Sequence, residues 1–184
     1  VKRFSIPTDK IYVIYNGIGI SKKNIKYKKN KKKYSIFRVG FIGRLDSPKG
    51  LHVLIDAMGK LKEHKIELYI AGSGPLSKEL KEQSNGCENI TFIGRVKEPF
   101  HFFKSIDLLV VPSIREPLGN VCLEAGLYRV PVLASNVDGI PEILEHEVSG
   151  ELMNPDEELS FVTNNDAAPL PEYVINPETQ QLQK

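Results

Sequence analysis

The sequence predicts a doubly wound α/β fold, in which a parallel sheet carries helices on both faces. Three observations predict it: short apolar runs alternate with segments of helical period, each run ends at a glycine and a polar loop, and this unit recurs along the chain. Such alternation is typical of parallel sheets, whose ligands bind at the carboxyl ends of the strands. The 184 residues are enough for one domain with a full core.

The first two predicted strands cover residues 10–15 and 36–42. Strand-forming side chains in 10–15 are followed by Asn16-Gly17, a strong turn signal, and 36–42 ends at Gly43-Arg44. Apolar residues at helical spacing then predict a helix that begins after Gly50. They are Leu51, Leu54, Ile55, Met58 and Leu61.

The same unit recurs three more times, followed by two short strands. The predicted strands are 66–71, 90–93 and 108–112, each with a helix after it, and then 132–134 and 151–153. Beyond Pro155 the periodicity ends and the composition becomes rich in proline and glutamine. We therefore expect one domain over residues 1–155, with 156–184 as a polar tail or a truncated helical extension.

The net charge of +2 hides a local excess of lysine. Eight of the 25 basic residues lie in the lysine-rich segment, residues 22–33, which leaves 17 basic against 23 acidic residues elsewhere. With no arginine and one aromatic residue, this segment favours a solvated loop over a nucleic-acid site, while contact with anionic lipid stays open. No membrane span or signal peptide is apparent, so we expect a cytoplasmic protein, with the cytoplasmic membrane face as a candidate location. Cys87 and Cys122 are expected to be small buried hydrophobes.

The strongest candidate site follows the apolar run 108–112. Gly119 opens a helical segment there, and two carboxylates flank it, Glu116 in the loop and Glu124 inside the helix. A glycine lets a ligand come close to the backbone, and the free amides of a helix start favour an anion. Glutamates near helix starts also complement the helix dipole without binding anything, and spacing alone does not separate the two interpretations.

Two cations, Arg44 and Lys49, flank the loop after the second predicted strand. Beside the amides of a helix start they suit a diphosphate, because arginine makes forked contacts and lysine acts as a point charge. The alternative is a solvated surface loop.

Other chemistries have little support. Pro75 interrupts Gly72-Ser73-Gly74, so the dinucleotide fingerprint is incomplete, and no phosphate-loop lysine motif is present. The histidines are dispersed, and the neighbours in Glu145-His146-Glu147 point different ways, so no metal site is predicted. Ser113 has no partners at the spacing of a catalytic triad.

Taken together, six motifs resemble the carboxyl-terminal, nucleotide-sugar-binding domain of family four retaining glycosyltransferases of the GT-B type. In chain order they are 13–17, Gly43-Arg44 with Lys49-Gly50, 72–75, 92–94, 116–124 and 139–142. The resemblance covers about residues 10–155 and implies a Rossmann-like sheet that forms one half of a GT-B fold.

The resemblance also implies a role for each candidate residue. Arg44 and Lys49, beside Gly43, would hold the donor diphosphate, and the backbone at Arg95-Val96 would border the base. Glu124 would bind the ribose. The remaining residues would meet the sugar and phosphates, with Glu116 next to the reacting centre. They are Glu116 and the amides of Leu118, Gly119 and Asn120.

The implied reaction moves a sugar from a nucleotide diphosphate sugar to a glycan or lipid-linked acceptor with retained configuration. Preorganised charge would stabilise the leaving diphosphate, so no cofactor or metal ion is expected. Three residues depart from the family pattern, namely Gly19, Leu118 and Arg129. The family's amino-terminal domain is not in this sequence, so we expect a donor-binding half that is inactive alone. The alternative is a non-catalytic Rossmann-like module that recruits a partner.

Overall fold

The computed structural model describes residues 7–19, 36–154, 174–175 and 182–183. Its six-stranded sheet has every neighbouring pair parallel, in the order β3-β2-β1-β4-β5-β6. The strands are β1 Phe37–Ile42, β2 Ile66–Ala71, β3 Ile90–Gly94, β4 Leu108–Val111, β5 Val132–Ser135 and β6 Glu151–Met153. The helices are α1 Leu51–Lys60, α2 Ser77–Gln83, α3 Pro99–Ser105 and α4 Asn120–Leu127. The predicted doubly wound fold is confirmed.

The helices cover both faces of the sheet because the strands are apolar on both sides. On one face, α1 and α2 pack on a buried cluster that includes Phe41, Leu68 and Ile70. On the other face, α3 and α4 pack on a cluster that includes Leu109 and Val111. Burial on both faces is what the continuous apolar runs of the sequence predict.

From the neighbouring parallel strands β1 and β4, the chain proceeds toward opposite edges of the sheet. From β1 the chain proceeds outward through β2 to β3, and from β4 it proceeds through β5 to β6. The point where the order reverses is the topological switch point, where open α/β sheets bind ligands. This position makes the loops after β1 and β4 the candidate site.

The predicted strand at residues 10–15 is wrong. A 3-10 turn occupies Thr8–Lys10, and residues 11–15 form no strand in the described chain. Tyr12 and Ile14 are 84% and 86% exposed. Strand propensity is realised only where a partner strand pairs with the segment, and no described sheet edge does so.

Two smaller expectations have mixed outcomes. Cys122 is fully buried and burial raises the pKa of its thiol to about 12, but Cys87 is only partly buried because it lies in the turn before β3.

The lysine-rich segment lies outside the described residues. So does most of 156–184, except for an antiparallel pair of short strands, β7 Val174–Ile175 and β8 Leu182–Gln183. The predicted boundary at 155 stays a prediction.

The end of α4 contains a strained residue at one of the three departures from the family pattern. Arg129 has a φ of 56°. The amide of Arg129 donates to the Gly126 carbonyl at 3.0 Å, and that of Val130 donates to the Ala125 carbonyl at 2.9 Å. These two bonds form the Schellman motif, whose left-handed position is usually glycine.

We predict that Arg129→Gly raises the free energy of unfolding by about 1 kcal/mol, because glycine adopts this conformation without the steric cost of a Cβ. Urea denaturation measures the difference. Arg129→Ala is the matched control, since it removes the guanidinium but keeps the Cβ. Equal stability of the glycine and alanine variants would contradict the strain argument.

Candidate functional site

The candidate site lies at the carboxyl ends of β1 and β4, where an open α/β sheet forms a crevice at its switch point. The two strands pair only through Val39 with Leu108 and Gly40 with Leu109, although β1 continues to Ile42 and β4 to Val111. Their carboxyl ends therefore diverge. The loops that follow them, residues 43–50 and 112–119, form the two walls of the opening.

Backbone contacts lock these two loops together. The Pro48 carbonyl accepts hydrogen bonds from the amides of Ile114 at 2.8 Å and Arg115 at 3.2 Å. Gly50 has a φ of 63°, and a Cβ there would lie 1.9 Å from the Pro112 carbonyl oxygen. Only glycine fits both the conformation and the close approach. The loop that carries Lys49 is thus fixed relative to the loop that carries Glu116.

Lys49 and Glu116 meet across the crevice. The Lys49 Nζ lies 2.5 Å from the Glu116 Oε2, and the Ser113 hydroxyl donates to the same oxygen at 3.2 Å. The Glu116 side chain is only 9% exposed, whereas that of Lys49 is 28% exposed. An ammonium has three donors, so Lys49 keeps hydrogen-bonding capacity toward a ligand in the crevice.

Arg44 lies at the mouth of the crevice, 70% exposed. Its Nε is 3.1 Å from the Asp46 Oδ2, while the other oxygen of Asp46 is buried without a hydrogen-bond partner in the described chain. The remaining nitrogens of a guanidinium can still meet an anion. The neighbouring Gly43 donates its amide to the Ala71 carbonyl at 3.0 Å, so this amide belongs to the sheet and not to a ligand.

The start of α4 adjoins Glu116, since a Cβ on Gly119 would lie 3.5 Å from the Glu116 Cγ. Gly119 precedes the helix in a left-handed conformation, with a φ of 87°. The amides of Leu118, Gly119 and Asn120 donate to no backbone acceptor among residues 7–19 and 36–154. Free amides and the positive end of the helix dipole make this a place where a negative charge is stabilised.

Glu124 lies on α4, a little over one turn from its start, and is partly buried. Burial raises the pKa of its carboxyl, because removal from water disfavours the charged form. Within the described chain its side chain has no hydrogen-bond or ion-pair partner. A half-buried carboxylate of this kind is able to accept hydrogen bonds from hydroxyl groups of a ligand.

The remaining candidates are more distant. Arg95 is exposed and Val96 packs on the core, both just beyond β3. Because β3 is separated from β1 by β2, they lie about 10 Å along the sheet from the end of β1. The structure thus brings Lys49, Glu116 and the start of α4 together, with Arg44 at the edge and Arg95-Val96 to one side.

Sequence reasoning did not predict the contacts of three side chains that shape the site. Ser113 and Asp46 bond to Glu116 and Arg44 as described above, and Asp138 accepts a hydrogen bond from the Glu116 amide at 2.8 Å. An aspartate and a glycine after a strand, as in Asp138-Gly139, are a turn signal that could have drawn attention to this loop. The contacts themselves join residues far apart in sequence and leave no local pattern.

Among the described residues, no group of three or more histidine, cysteine, aspartate or glutamate side chains is arranged to hold a metal ion. None of the helices in that part of the chain has the length and apolar character needed to cross a membrane.

Comparison with known sequences gives matches to glycosyltransferases. An uncharacterized glycosyltransferase of Methanocaldococcus jannaschii is 37% identical over 83% of this chain and 43% of its own length. The capsular polysaccharide biosynthesis glycosyltransferase CapM of Staphylococcus aureus is 30% identical over 74% of this chain and 38% of its own length. The chain therefore spans less than half the length of these curated relatives.

Comparison with solved structures gives matches of the same kind. HepE of Anabaena, solved in complex with UDP-glucose, superposes with a TM-score of 0.60 at 32% identity, over 67% of this chain and 36% of that one. The C-terminal domain of LpcC, a glycosyl transferase group 1 family protein of Francisella tularensis, gives a TM-score of 0.56 at 26% identity, over 65% and 68%.

The family model of glycosyl transferases group 1 matches residues 36–165, which is most of the chain. This match begins at β1 and includes the crevice, α4 and both glutamates. The chain belongs to the glycosyl transferases group 1 family.

Proposed function

We propose that this chain is the donor-binding domain of a retaining glycosyltransferase of family four, and that it binds a nucleotide diphosphate sugar at the switch point. One observation carries the proposal: Lys49 and Glu116, 67 residues apart in sequence, meet in the crevice beside the free amides of α4. A cation and helix amides suit a diphosphate, and a carboxylate next to them suits the hydroxyl groups of a sugar. HepE, which binds UDP-glucose, supports the same substrate class.

In this proposal the protein accelerates transfer mainly by stabilising the leaving group. The bond between the anomeric carbon and the diphosphate oxygen breaks as the acceptor hydroxyl bonds to that carbon, and the hydroxyl proton passes to the departing diphosphate. Negative charge grows on the diphosphate, where Arg44, Lys49 and the α4 amides offset it. Charges that are held in place before the reaction need no reorganisation, which is why they are effective.

The other candidates recognise the rest of the donor. Glu124 accepts hydrogen bonds from the ribose hydroxyls, and the backbone at Arg95-Val96 borders the base. The separation of Arg95-Val96 along the sheet from the loop of Lys49 allows base and diphosphate to be bound at the same time. Glu116 meets the sugar, with Lys49 holding its carboxylate in the crevice.

We further propose that this domain is the carboxyl-terminal half of a GT-B enzyme. An amino-terminal domain would complete the cleft and bind a glycan or lipid-linked acceptor. Two similarities support this: the LpcC domain is a C-terminal domain, and CapM acts in capsular polysaccharide biosynthesis. A cytoplasmic location, with contact between the lysine-rich segment and the cytoplasmic membrane face, belongs to the same proposal.

The direct test of donor binding is calorimetry of the full chain with UDP, GDP and ADP. We expect weak binding of one of them and no sugar transfer by this chain alone, because the acceptor side of the crevice is open to water. Failure to bind all three would favour a non-catalytic module, and turnover by this chain alone would contradict the half-enzyme proposal.

Loss of a cation should weaken binding only through the phosphates. We expect Arg44→Ala to reduce nucleoside diphosphate affinity about ten- to a hundredfold and to leave affinity for the parent nucleoside unchanged, because a charge-assisted hydrogen bond contributes about 1.5–3 kcal/mol. Calorimetry with both ligands measures the difference. Lys60→Ala, which removes an exposed lysine at the far end of α1 from the candidate site, is the control.

Lys49 requires a second control, because its loss leaves the buried Glu116 without its ion-pair partner. Lys49→Met/Glu116→Gln, which removes both charges, is therefore compared with Glu116→Gln, which keeps Lys49. The double variant should lose diphosphate affinity about ten- to a hundredfold relative to Glu116→Gln. Equal affinities of these two variants would show that Lys49 supports the fold and not the phosphates.

Glu116 should weaken the binding of the diphosphate while it strengthens the binding of the sugar. We expect Glu116→Gln to bind nucleoside diphosphate as well as the unsubstituted chain or better, since its negative charge partly offsets that of Lys49 at 2.5 Å. Affinity for the nucleotide sugar should fall relative to that of the diphosphate. Ser113→Ala, which removes the other partner of the same oxygen, is the matched control and should have a smaller effect. Equal changes in affinity for the two ligands would show that Glu116 does not contact the sugar.

Glu124 should make nucleoside binding depend on pH. Because burial raises its pKa, protonation begins at a higher pH than for an ordinary glutamate, and affinity for the nucleoside should fall as the pH is lowered through that raised value. Glu124→Gln should show a flat profile of nucleoside affinity against pH.

The effect of Glu124 on the free energy of unfolding has the opposite dependence on pH. The ionised form is disfavoured in the fold, so stability is lost as pH rises from 4.5 through the raised pKa. Glu124→Gln should remove that loss. Coincident profiles of the two proteins would contradict this assignment.

A further inference from the structure

The loop after β5 holds the backbone of Glu116 at both ends. The Glu116 amide donates to the Asp138 Oδ2 at 2.8 Å, and the amide of Gly139 donates to the Glu116 carbonyl at 3.1 Å. Two consecutive residues therefore satisfy both backbone polar groups of Glu116. No other residue of the loop 112–119 has both of its backbone groups bound by the β5 loop within the described chain.

The contact between the two loops is close and strained. A Cβ on Gly139 would lie 2.1 Å from the Pro117 carbonyl oxygen and 2.8 Å from the Leu118 Cα, so any other residue would separate the loops. Asp138 has a φ of 46°, a conformation that L-residues rarely adopt and that aspartate tolerates better than most. Such a conformation persists only where surrounding contacts hold the residue, and at Asp138 one of these contacts is the hydrogen bond from the Glu116 amide to its carboxylate.

The Asp138 carboxylate is kept ionised by its partners. The Arg115 Nε donates to the same oxygen as the Glu116 amide, at 2.9 Å. The hydrogen bond from Arg115, and secondly that from the Glu116 amide, hold the pKa of Asp138 below its ordinary value. Arg115 is 75% exposed, so its contact is largely solvated, whereas the amide bond acts directly on the backbone of Glu116.

We infer that Asp138 is a positioning residue for Glu116, whose backbone it fixes so that the Glu116 carboxylate meets Lys49 and faces the donor sugar. A glutamate side chain has three rotatable bonds, and its end is directed only as well as its backbone is held. Within the described chain the acceptor of the Glu116 amide is the Asp138 carboxylate. The inference rests on the proposed function, in which Glu116 contacts the sugar.

The first measurement needs no ligand. Hydrogen exchange of the Glu116 amide, followed by NMR in the full chain, should be about tenfold faster in Asp138→Gly than in the unsubstituted chain. Glycine is chosen because it keeps the left-handed conformation while it removes the carboxylate. Arg115→Leu, which removes the other donor to the same oxygen, is the matched control and should leave the exchange rate unchanged. Asp138→Asn retains an acceptor oxygen and should restore protection.

The second measurement compares UDP-glucose with UDP by calorimetry. In Asp138→Gly, affinity for UDP-glucose should fall about three- to tenfold relative to that for UDP, as expected for the loss of one hydrogen bond that directs the sugar contact. Asp138→Asn should recover most of this loss. In the Glu116→Gln background, Asp138→Gly should have no further effect on the ratio of the two affinities, because a residue that acts through Glu116 has nothing left to position.

The outcomes separate the inference from the function on which it rests. Unchanged amide exchange in Asp138→Gly, or an undiminished effect of Asp138→Gly in the Glu116→Gln background, overturns the inference. If Glu116→Gln itself leaves the ratio of UDP-glucose to UDP affinity unchanged, the assignment of Glu116 to a sugar fails instead. If UDP does not bind but GDP or ADP does, the glucose nucleotide of that base is measured in place of UDP-glucose, and if none of the three binds, the proposed function fails. In that case the amide exchange still decides whether Asp138 holds the Glu116 backbone.

Discussion

The ion pair between Lys49 and Glu116 is the interaction on which the site depends. Glu116 is almost fully buried, and removal of a carboxylate from water costs more than a single ion pair usually returns. Such a pair persists only if its geometry is fixed by the surrounding backbone. The Pro48 carbonyl, with two amides of the facing loop, and the contact of Gly50 with Pro112 supply that fixation. A pair that adds little stability is nevertheless held firmly here, as the proposed donor site requires.

The topology of the sheet explains why the pair forms where it does. β1 and β4 stop pairing after Gly40 and Leu109, so their loops are close enough to touch and far enough apart to leave an opening. The amides of α4 face this opening and add partial positive charge to that of Lys49 and Arg44. Glu116 places one negative charge in the same space. The crevice is therefore not uniformly positive, and this suits a ligand that has an anionic part next to a neutral part rich in hydroxyl groups.

Much of this arrangement could be predicted from the sequence, and the exceptions have physical reasons. The strands and helices of the sheet were predictable because each apolar run is buried on both faces, so local pattern and tertiary environment agree. Residues 10–15 carry an equally good strand pattern but have no partner strand in the described chain, which no local pattern can reveal. The candidate residues at the crevice were predictable from the ordered motifs. The contact of Lys49 with Glu116 was not, since it joins two loops 67 residues apart in sequence.

Backbone strain distinguishes two kinds of departure from local preference in this chain. Three non-glycine residues of the described ranges have a positive φ: Arg129, Asp138 and Glu147. The carboxylate of Asp138 bonds to the backbone of Glu116, so a glycine there would relieve strain and lose a contact in the site. Arg129 lies at the end of α4 opposite to the crevice, and its structural role there is carried by its backbone. At Asp138 a side-chain contact compensates the strain, so the strained conformation is a constraint that the site imposes. At Arg129 no such contact is described, and the strain is a cost that the fold tolerates. This difference, and not the strain itself, is what assigns Asp138 to the site.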